Sequence, residues 1–514
     1  MRFVKTYLVS IFIVFMHFGG QITYWTDPQN RYYYGWRELN GIALVCDLFL
    51  IALAVTLLAL LLKQLTQRRS LAGLQNLLDH LLPLAFASGV LSVSARYFVA
   101  DHPKIIPLSW MFVMSIIGWS LASSRSRVVQ YTYNVCLLFS PAPFLLSVQI
   151  LTWGSWYDAP KTSLANRKAE TQETPVFLFV FDEWSYARSA SCGEFRPLFR
   201  NIRDFCNRAI VFRKARSPGP STEISLPRLI YQTSLEIEWR EGVAYWKQGN
   251  EEKPSTEVPS LFQFARERNY NCYLTGWRVP YNRLLGEQVD YCHTRCGDAR
   301  ADCLGPEMLL AVQRNLPEWT DPLSQSLSSA VTPRVFCQHV YRAAQEARDE
   351  MLRIIDSCPP NTFALFHVRH PHGPHIFNSD GTYAGPNLRF DAEDYEQSLV
   401  YLDFLFGQIV ERLRAAHKFD GSLIVVTSDH SFRLEPEPTF RQDVLSMTSS
   451  DAPDWRRRVP LFIKLPGQRS ATVVDDPLCT NGLAPLFKSV FRGDRDPNRL
   501  IELVRDLASG SNRE

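Results

Sequence analysis

The sequence predicts two parts: an α-helical membrane region with about five spans, then an α/β domain with a mainly parallel sheet and helices on both faces. Three observations predict this fold class. Long apolar stretches fill residues 1–153, residues 154–174 are polar without an apolar period, and short apolar strands alternate with amphipathic helices in residues 175–514. We therefore expect a transmembrane domain, a linker and an extracytoplasmic domain with these boundaries.

Bulk composition narrows the class of protein. With 514 residues, the chain is too long for one ordinary domain. Its formal net charge of +3 is close to balanced, although 46% of its residues are hydrophobic. A protein that binds nucleic acid through bulk positive charge would be far more basic. We expect a membrane-embedded protein with no nucleic-acid partner.

Five apolar stretches are candidate membrane spans, and most approach or exceed the ~20 residues that cross a bilayer as a helix. They occupy residues 4–18, 42–62, 81–99, 105–122 and 128–153. The first and third are short or interrupted by polar residues. A cleaved signal peptide is the alternative for the first stretch, but no small-residue cleavage site follows it. The sequence therefore favours five spans.

The charges beside these stretches predict the orientation of the chain. Basic residues flank alternate loops: Arg2 and Lys5 at the N-terminus, Lys63 after the second stretch, and Arg125 and Arg127 after the fourth. Loops rich in Lys and Arg stay in the cytoplasm. An odd number of spans then places residues 154–514 on the other side. We expect a multi-pass protein of an inner or plasma membrane, with its C-terminal domain outside the cytoplasm.

The region after the linker has the strand–helix–strand order of a parallel sheet. Helices are predicted at 258–269, 340–357 and 395–416, and apolar strands at 175–181, 270–277, 362–368 and 422–428. In sheets of this type, ligands bind beyond the carboxyl ends of the strands. The functional site is therefore expected where these strands end.

Carboxylates and imidazoles follow three of these strands: Asp182 and Glu183, then His367 with His370, His372 and His375, and finally Asp429 with His430. Each group alone has an ordinary alternative, because acids often cap helices and histidine-rich turns are often merely exposed. Their convergence on one edge favours a site. Oxygen and nitrogen ligands without thiolate suit zinc, manganese, magnesium or calcium.

A hydroxyl group that such a metal could activate occurs in "SPGPSTEISLPRLIYQ", residues 217–232. Ser221 and Thr222 follow a Pro/Gly turn at the predicted start of a helix. The helix N-terminus favours an alkoxide and an incoming anionic phosphate, and a bound metal would lower the hydroxyl pKa. The alternative is that one of these residues only caps the helix. From this stretch alone, the capping role is the simpler interpretation.

The ordered blocks "FVFDEWS", "STEISLP", "HPHGPHIF", "TSDHS" and "RVPLFIKLPG" resemble the sulfatase-like branch of the alkaline phosphatase superfamily. Within it, the chain is most similar to membrane-anchored phosphoethanolamine and phosphoglycerol transferases, including lipoteichoic acid synthase. The resemblance implies an alkaline phosphatase/sulfatase-type domain. It also implies residue roles: metal binding by Asp182 and/or Glu183, Thr222, Asp429 and His430; nucleophilic attack by Thr222; phosphate contact by His372 and, as a weaker match, His367.

Two departures from the family pattern bear on the reaction. Sulfatases convert a Cys or Ser two residues before a Pro to formylglycine. The expected nucleophile Thr222 is not such a residue, and the position two residues before Pro220 is Pro218. This departure argues against a true sulfatase. No His follows His430, although several transferases place a substrate-side His there, so the predicted phosphate pocket is incomplete.

The resemblance implies a transferase with one or two divalent metal ions, zinc favoured. It would move phosphoethanolamine or phosphoglycerol from a phospholipid donor to a surface glycan or lipid acceptor through a phospho-Thr intermediate. An extracytoplasmic hydrolase of phosphate or sulfate esters is the alternative. Membrane anchoring favours the transferase, because a lipid donor lies in the bilayer. A catalytically inactive structural relative is the third possibility, which the joint presence of Thr222, Asp429 and His430 disfavours.

Cysteine usage agrees with an extracytoplasmic domain. Nine of the 11 cysteines lie beyond the membrane region: Cys192, Cys206, Cys272, Cys292, Cys296, Cys303, Cys337, Cys358 and Cys479. An oxidising compartment would pair many of them and leave at least one thiol. The group from Cys292 to Cys303, with His293, fits no regular zinc spacing, so we expect disulfides there rather than a zinc site.

Overall fold

The computed structural model describes residues 2–26, 38–68, 125–152, 174–191, 193–240, 243–249, 251–295, 321–387, 392–432 and 457–510. The chain divides into two compact units. The first comprises Met1–Tyr157 and Arg300–Thr332, and the second comprises Asp158–Ala299 and Pro333–Glu514.

The described part of the first unit is helical. Its helices are α1 (Arg2–Thr26), α2 (Glu38–Arg68), α3 (Arg125–Phe139) and α4 (Pro141–Thr152), together with the N-terminal part of the helix Asp321–Ser357. The helix α1 packs on α2, where the Tyr7 hydroxyl donates to the Phe49 carbonyl at 3.1 Å. The Phe15 and Phe49 rings meet with centroids 5.7 Å apart.

Two segments of this unit are long and apolar enough to cross a bilayer, Leu48–Thr66 and Gln130–Val148, and the apolar part of α1, Phe3–Met16, is shorter. The predicted final span, residues 128–153, is divided between α3 and α4 by a turn at Ser140. The predicted stretches 81–99 and 105–122 lie outside the described residues. Two of the five predicted spans thus have a matching helix, and the full number stays a prediction.

The second unit is built on an eight-stranded sheet in the order β10-β9-β11-β1-β12-β13-β4-β14. Its strands and those of three small sheets are β1 (Val176–Asp182), β2 (Ala190–Ser191), β3 (Glu194–Phe195), β4 (Ile210–Phe212), β5 (Ala215–Arg216), β6 (Glu236–Arg240), β7 (Val243–Gln248), β8 (Glu251–Pro254), β9 (Asn271–Trp277), β10 (Tyr291–Arg295), β11 (Thr362–Pro371), β12 (Leu423–Ser428), β13 (Leu461–Lys464), β14 (Thr472–Val474) and β15 (Leu478–Cys479). In the large sheet β13 runs antiparallel to both its neighbours, and the other pairs are parallel. The predicted mainly parallel sheet is confirmed.

Helices cover both faces of this sheet, as predicted. They are α5 (Tyr186–Ser189), α6 (Arg200–Cys206), α7 (Thr222–Tyr231), α8 (Leu261–Arg266), α9 (Tyr281–Leu285), α10 (Asp321–Ser357), α11 (Ala392–Ala415), α12 (Ala484–Phe491) and α13 (Pro497–Gly510). Because side chains alternate along a strand, β1 contributes Val176, Leu178 and Val180 to one core and the phenylalanines between them to the other. The first core includes α7, α8, α12 and α13, and the second includes α6, α11 and part of α10.

The predicted helices and strands agree closely with the observed ones, and most differences occur at their ends. The helix predicted at 258–269 is α8, which begins after Ser260 because the Ser260 hydroxyl accepts from the Phe262 and Gln263 amides. The helix predicted at 340–357 is the C-terminal part of the longer α10. The register places Phe181 beside Val368 on one side and Ser428 on the other. The ends of β1, β11 and β12, which carry the predicted acids and histidines, therefore meet at one edge of the sheet.

The disulfide prediction is wrong for the described cysteines. No disulfide joins any two of the six described cysteines of the second unit: Cys206, Cys272, Cys292, Cys337, Cys358 and Cys479. Cys272 and Cys292 occupy neighbouring strands, but the register pairs Cys292 with Leu274, so the two thiols are not opposite each other. Burial of both side chains in the apolar core instead explains these residues as small hydrophobes. Cys192, Cys296 and Cys303 lie outside the described residues.

Candidate active site

Adjacent strand ends bring three predicted metal ligands together. Asp182 is the last residue of β1, and Asp429 and His430 directly follow β12, its parallel neighbour. Each offers one ligand atom, and these atoms all lie within 4.8 Å of one another. All three residues are buried, with at most 1% of their surface exposed. Two carboxylates and one imidazole thus share a small enclosed volume.

Thr222 joins this group from the first turn of α7. Its Oγ1 donates a hydrogen bond to Asp429 Oδ2 at 2.7 Å and lies 3.4 Å from His430 Nε2. The capping position belongs to Ser221, whose side chain makes no capping hydrogen bond. Because the Thr222 hydroxyl is bonded to Asp429, it does not cap the helix. The geometry therefore favours the nucleophile over the capping role for Thr222.

The backbone conformation of Glu183 gives Asp182 and Glu183 different positions at the site. Glu183 has a φ of +67°, in the left-handed region that most residues avoid. Its amide donates to Asp429 Oδ1 at 3.0 Å, and its carboxylate Oε2 lies 3.9 Å from His372 Nε2. Glu183 therefore positions Asp429 and faces His372, whereas Asp182 supplies the carboxylate of the ligand group.

Two of the four histidines of the β11 region lie at the site. His367 Nε2 lies 3.6 Å from Asp182 Oδ2, and its Nδ1 is hydrogen-bonded to the Tyr281 hydroxyl at 2.8 Å. His372 Nδ1 is 2.7 Å from the Gly373 carbonyl, which fixes the proton on Nδ1 and leaves Nε2 towards Glu183.

The other two histidines are held by different groups. His375 Nδ1 bonds the Ser398 hydroxyl at 2.8 Å. His370 packs edge-on against Phe377 and Tyr401, with ring centroids 4.5 and 4.8 Å apart. These contacts place His370 and His375 in the supporting structure of the turn.

The buried carboxylates and imidazoles of the site shift one another's pKa values. Burial raises the pKa of Asp429, but the nearby His430 and His367 and the bonds from Glu183 and Thr222 outweigh it, so this pKa lies below its usual range. Burial opposes the charge on His430, yet Asp429, Asp182 and Glu183 raise its pKa. Burial lowers the pKa of His367 to about 4, which keeps this imidazole neutral.

Several residues that the sequence analysis missed hold this arrangement in place. The Ser428 hydroxyl accepts from the Trp184 amide at 2.8 Å and lies 2.7 Å from the Phe181 carbonyl, which ties β12 to β1. The Ser225 hydroxyl donates to the Asp429 carbonyl. Their positions in the sequence could have identified them. Ser428 ends a predicted strand, and Ser225 lies one helical turn after Thr222.

An ion pair beside the nucleophile was also missed. Glu223 follows Thr222, and its Oε1 accepts from Arg278 Nε at 2.9 Å and Nη2 at 2.8 Å. Arg278 directly follows β9, so the strand-end rule could have identified it. The Glu223 carbonyl also accepts from the Trp239 indole at 2.9 Å. Arg278 and Trp239 therefore both hold the first turn of α7 through Glu223.

The donor set fits a divalent cation. Asp182, Asp429, His430 and Thr222 Oγ1 provide three oxygens and one nitrogen without thiolate, the number of ligands that zinc takes in most sites. Two buried carboxylates this close repel each other, and a bound cation relieves that repulsion. These four residues are the group that could hold a metal ion.

Comparison with known proteins gives solved structures and a family model that are similar to this chain. Solved structures at low similarity include Ps i-CgsB in complex with k-i-k-neocarrahexaose (17% identity, TM-score 0.41, 64% of this chain and 74% of that one). They also include the lipoteichoic acid synthase LtaP from Listeria monocytogenes (13%, 0.39, 65% and 78%) and a phosphonate monoester hydrolase of Agrobacterium radiobacter (14%, 0.38, 62% and 74%). No curated protein matches the chain.

A family model described as Sulfatase matches residues 175–487, which is more than half of the chain. The match includes Asp182, Thr222, Asp429 and His430. It ends within α12, so it includes the whole large sheet, and α13 lies beyond it. The chain therefore belongs to the sulfatase family.

Proposed function

We propose that this protein is a metal-dependent transferase that moves a phosphorylated alcohol from a phospholipid to a cell-surface glycan or lipid through phospho-Thr222. The transferred group is phosphoethanolamine or phosphoglycerol. The domain that contains Asp182 and Asp429 would act outside the cytoplasm, at an inner or plasma membrane. One observation carries the proposal: the hydroxyl at the start of α7 is bonded to Asp429 Oδ2 at 2.7 Å.

The side chain at this position determines which chemistry is available. A sulfatase of the formylglycine type converts a Cys or Ser that stands two residues before a Pro and faces the metal ligands. Here the hydroxyl that meets the ligand group belongs to Thr222, which has Ile224 two residues after it. Ser225, two residues before Pro227, instead bonds the Asp429 carbonyl. An unmodified hydroxyl forms a stable phosphoester during turnover, which a second alcohol can then attack. This chemistry supports transfer between two alcohols.

The first step forms a covalent intermediate. Thr222 Oγ1 attacks the phosphorus of the donor, and the bond from phosphorus to the diacylglycerol oxygen breaks. The hydroxyl proton passes along the existing hydrogen bond to Asp429 Oδ2. His372 would give a proton to the departing oxygen from Nε2, which requires its doubly protonated form, with Nδ1 bonded to the Gly373 carbonyl and Nε2 facing Glu183. Its side chain is 13% exposed, whereas those of His367 and His430 are fully buried.

The second step reverses these proton movements. The acceptor hydroxyl attacks phosphorus, its proton passes to His372, and the bond from phosphorus to Thr222 Oγ1 breaks. Asp429 returns the proton to Thr222. A divalent ion held by Asp182, Thr222, Asp429 and His430 would stabilise negative charge on the phosphoryl oxygens and lower the pKa of the Thr222 hydroxyl. The N-terminus of α7 contributes to the same charge stabilisation.

The apolar helices of the N-terminal unit support a lipid donor. Leu48–Thr66 and Gln130–Val148 are long enough to span a bilayer, and a membrane-embedded enzyme meets phospholipid directly. A hydrolase of soluble phosphate or sulfate esters would gain nothing from this location. The same two-step chemistry with water as the acceptor is hydrolysis, so the acceptor distinguishes the two activities.

Acceptor competition tests the proposal. The full-length protein is incubated with a phospholipid in detergent micelles, with and without a glycolipid or glycan alcohol. We expect diacylglycerol release to rise with the alcohol and the phosphorylated head group to appear on that alcohol. Release of free phosphorylated head group alone, unaffected by every alcohol, would support the hydrolase. No diacylglycerol release from any phospholipid would contradict a lipid donor.

A further inference from the structure

Tyr395, near the start of α11, reaches the turn that follows β1. Its hydroxyl donates to the Glu183 carbonyl at 2.7 Å and accepts from the Ser185 amide at 2.9 Å. All three residues are buried. A buried backbone carbonyl or amide needs a hydrogen-bond partner, and here one phenol supplies it to both groups. The Tyr395 hydroxyl therefore bridges the turn from Glu183 to Ser185.

The turn that Tyr395 bridges contains the left-handed backbone of Glu183, with its φ of +67°. A residue with a side chain keeps such a conformation only where the surrounding structure holds it. The Glu183 amide donates to Asp429 Oδ1 at 3.0 Å, and the preceding residue, Asp182, belongs to the ligand group. The bond from Tyr395 to the Glu183 carbonyl therefore fixes a backbone conformation on which the placement of two ligand carboxylates depends.

The ring of Tyr395 contacts the segment that carries the other ligands. Phe432, two residues after His430, stacks on this ring with centroids 3.9 Å apart and planes 28° apart. The Arg188 guanidinium carbon lies 5.1 Å from the Phe432 centroid and 5.8 Å from that of Tyr395, and all three side chains are buried. Tyr395 thus contacts both ligand-bearing segments, one through its hydroxyl and the other through its ring.

We infer that Tyr395 is a positioning residue for the metal site, which holds the turn after β1 and the segment after β12 in one arrangement. It acts through Glu183 and Phe432 rather than on the metal or the substrate. Groups that orient metal ligands from outside the coordination shell contribute about 10–100-fold to metal affinity. The inference rests on the metal binding in the proposed function and is independent of which head group is transferred.

Zinc titration of the metal-free, full-length protein in detergent micelles, in competition with a chromogenic chelator, tests the inference. Tyr395→Phe keeps the ring and removes only the hydroxyl, so it should raise the zinc dissociation constant by at least about tenfold. A wild-type dissociation constant in Tyr395→Phe would overturn the inference while leaving the proposed function intact. A wild-type protein that binds no zinc would overturn the zinc site and the inference together.

Tyr270→Phe is the matched control. The Tyr270 hydroxyl donates to the Thr174 carbonyl at 3.1 Å, and both residues are buried. Thr174 precedes β1 and Glu183 follows it, so the two variants each remove one phenol bond at opposite ends of the same strand. The zinc dissociation constant of Tyr270→Phe should equal that of the wild type. A merely structural role for Tyr395 predicts equal dissociation constants in both variants, and that result would overturn the inference.

Phe432→Leu tests the contact through the ring, independently of whether Tyr395→Phe folds. This variant removes the ring that stacks on Tyr395 and keeps the tyrosine hydroxyl. A ligand raises the unfolding midpoint by an amount that grows with its affinity, so thermal unfolding with and without a fixed zinc concentration is the measurement. The rise on adding zinc should be smaller than in the wild type for Phe432→Leu and Tyr395→Phe, and unchanged for Tyr270→Phe. A wild-type rise in Phe432→Leu would overturn the role of the ring.

Discussion

Thr222 and Asp429 are separated by 207 positions in the chain, yet the Thr222 hydroxyl donates to Asp429 Oδ2 at 2.7 Å. The sheet explains this contact. Asp429 follows β12 at the edge where the ligand group forms, and α7 begins at the same edge with Thr222 in its first turn. A potential nucleophile and a potential metal ligand are therefore held in direct contact by the fold.

Loss of either ligand that follows β12 should remove the metal and abolish turnover. Asp429→Ala or His430→Ala leaves three ligands in a site built for four, and a shell this incomplete binds a divalent ion poorly. Elemental analysis and an activity assay of each variant are the measurements. Normal metal content together with normal activity in both variants would exclude these residues from the site. His375→Ala is a suitable control, because His375 bonds Ser398 rather than the ligand group.

Membrane orientation is predicted from the alternate basic loops and five spans. A reporter that is active only outside the cytoplasm, fused after Glu514, should be active. A second fusion in the basic segment at Arg68 should be inactive, because that loop is predicted to be cytoplasmic. Activity of a cytoplasm-only reporter at the C-terminus would contradict the orientation and the proposed location of the catalytic domain.

Ser428→Ala should destabilise the domain that contains the large sheet. The Trp184 amide donates to this hydroxyl at 2.8 Å in a fully buried environment, so the substitution leaves a buried N–H unsatisfied. We expect a loss of about 1–3 kcal/mol in the free energy of unfolding. Chemical denaturation of the variant measures this loss. Ser509→Ala, which alters an exposed hydroxyl in α13, should leave stability unchanged and serves as the control.

Protonation of His370 in the unfolded state should lower the stability of the protein in mild acid, relative to its stability at pH 7. Burial, together with the charges of Arg369 and His375, lowers its pKa to about 3, below the unfolded value of 6.5. Between these values the unfolded state binds a proton that the folded state does not, so stability falls as pH drops below 6.5. The slope is about 1.4 kcal/mol per pH unit for one such proton.

Replacement of His370 by Gln removes this titration, so the unfolding midpoint of His370→Gln should fall less between pH 7 and pH 5 than that of the wild type. The variant should be less stable at pH 7, because it loses ring contacts with Phe377 and Tyr401. Thermal unfolding at several pH values gives the comparison. Parallel pH profiles for the two proteins would show that His370 does not contribute.

Much of the fold and part of the site could be predicted from the sequence. Asp429 and His430 were identifiable because an apolar strand ends in two ligand-type residues, and the parallel sheet brings such ends together. The choice between Asp182 and Glu183 was not available, because it depends on the left-handed backbone of Glu183. The position of Arg278 after β9 could have identified it, but its partner Glu223 could not be predicted, because their ion pair joins residues far apart in the chain. Whether Cys272 and Cys292 lie opposite each other depends on strand register, which cysteine spacing does not determine.

The most direct test of the Thr222 mechanism is peptide mass spectrometry of the full-length protein after incubation with a phospholipid donor. We expect the mass of a phosphorylated head group on the peptide that contains Thr222, with fragment ions that place it on Thr222 itself. Thr222→Ala should fold, lose activity by orders of magnitude and carry no adduct, whereas Ser221→Ala should retain both activity and adduct. An adduct on Ser221, or an adduct that persists in Thr222→Ala, would contradict the assignment.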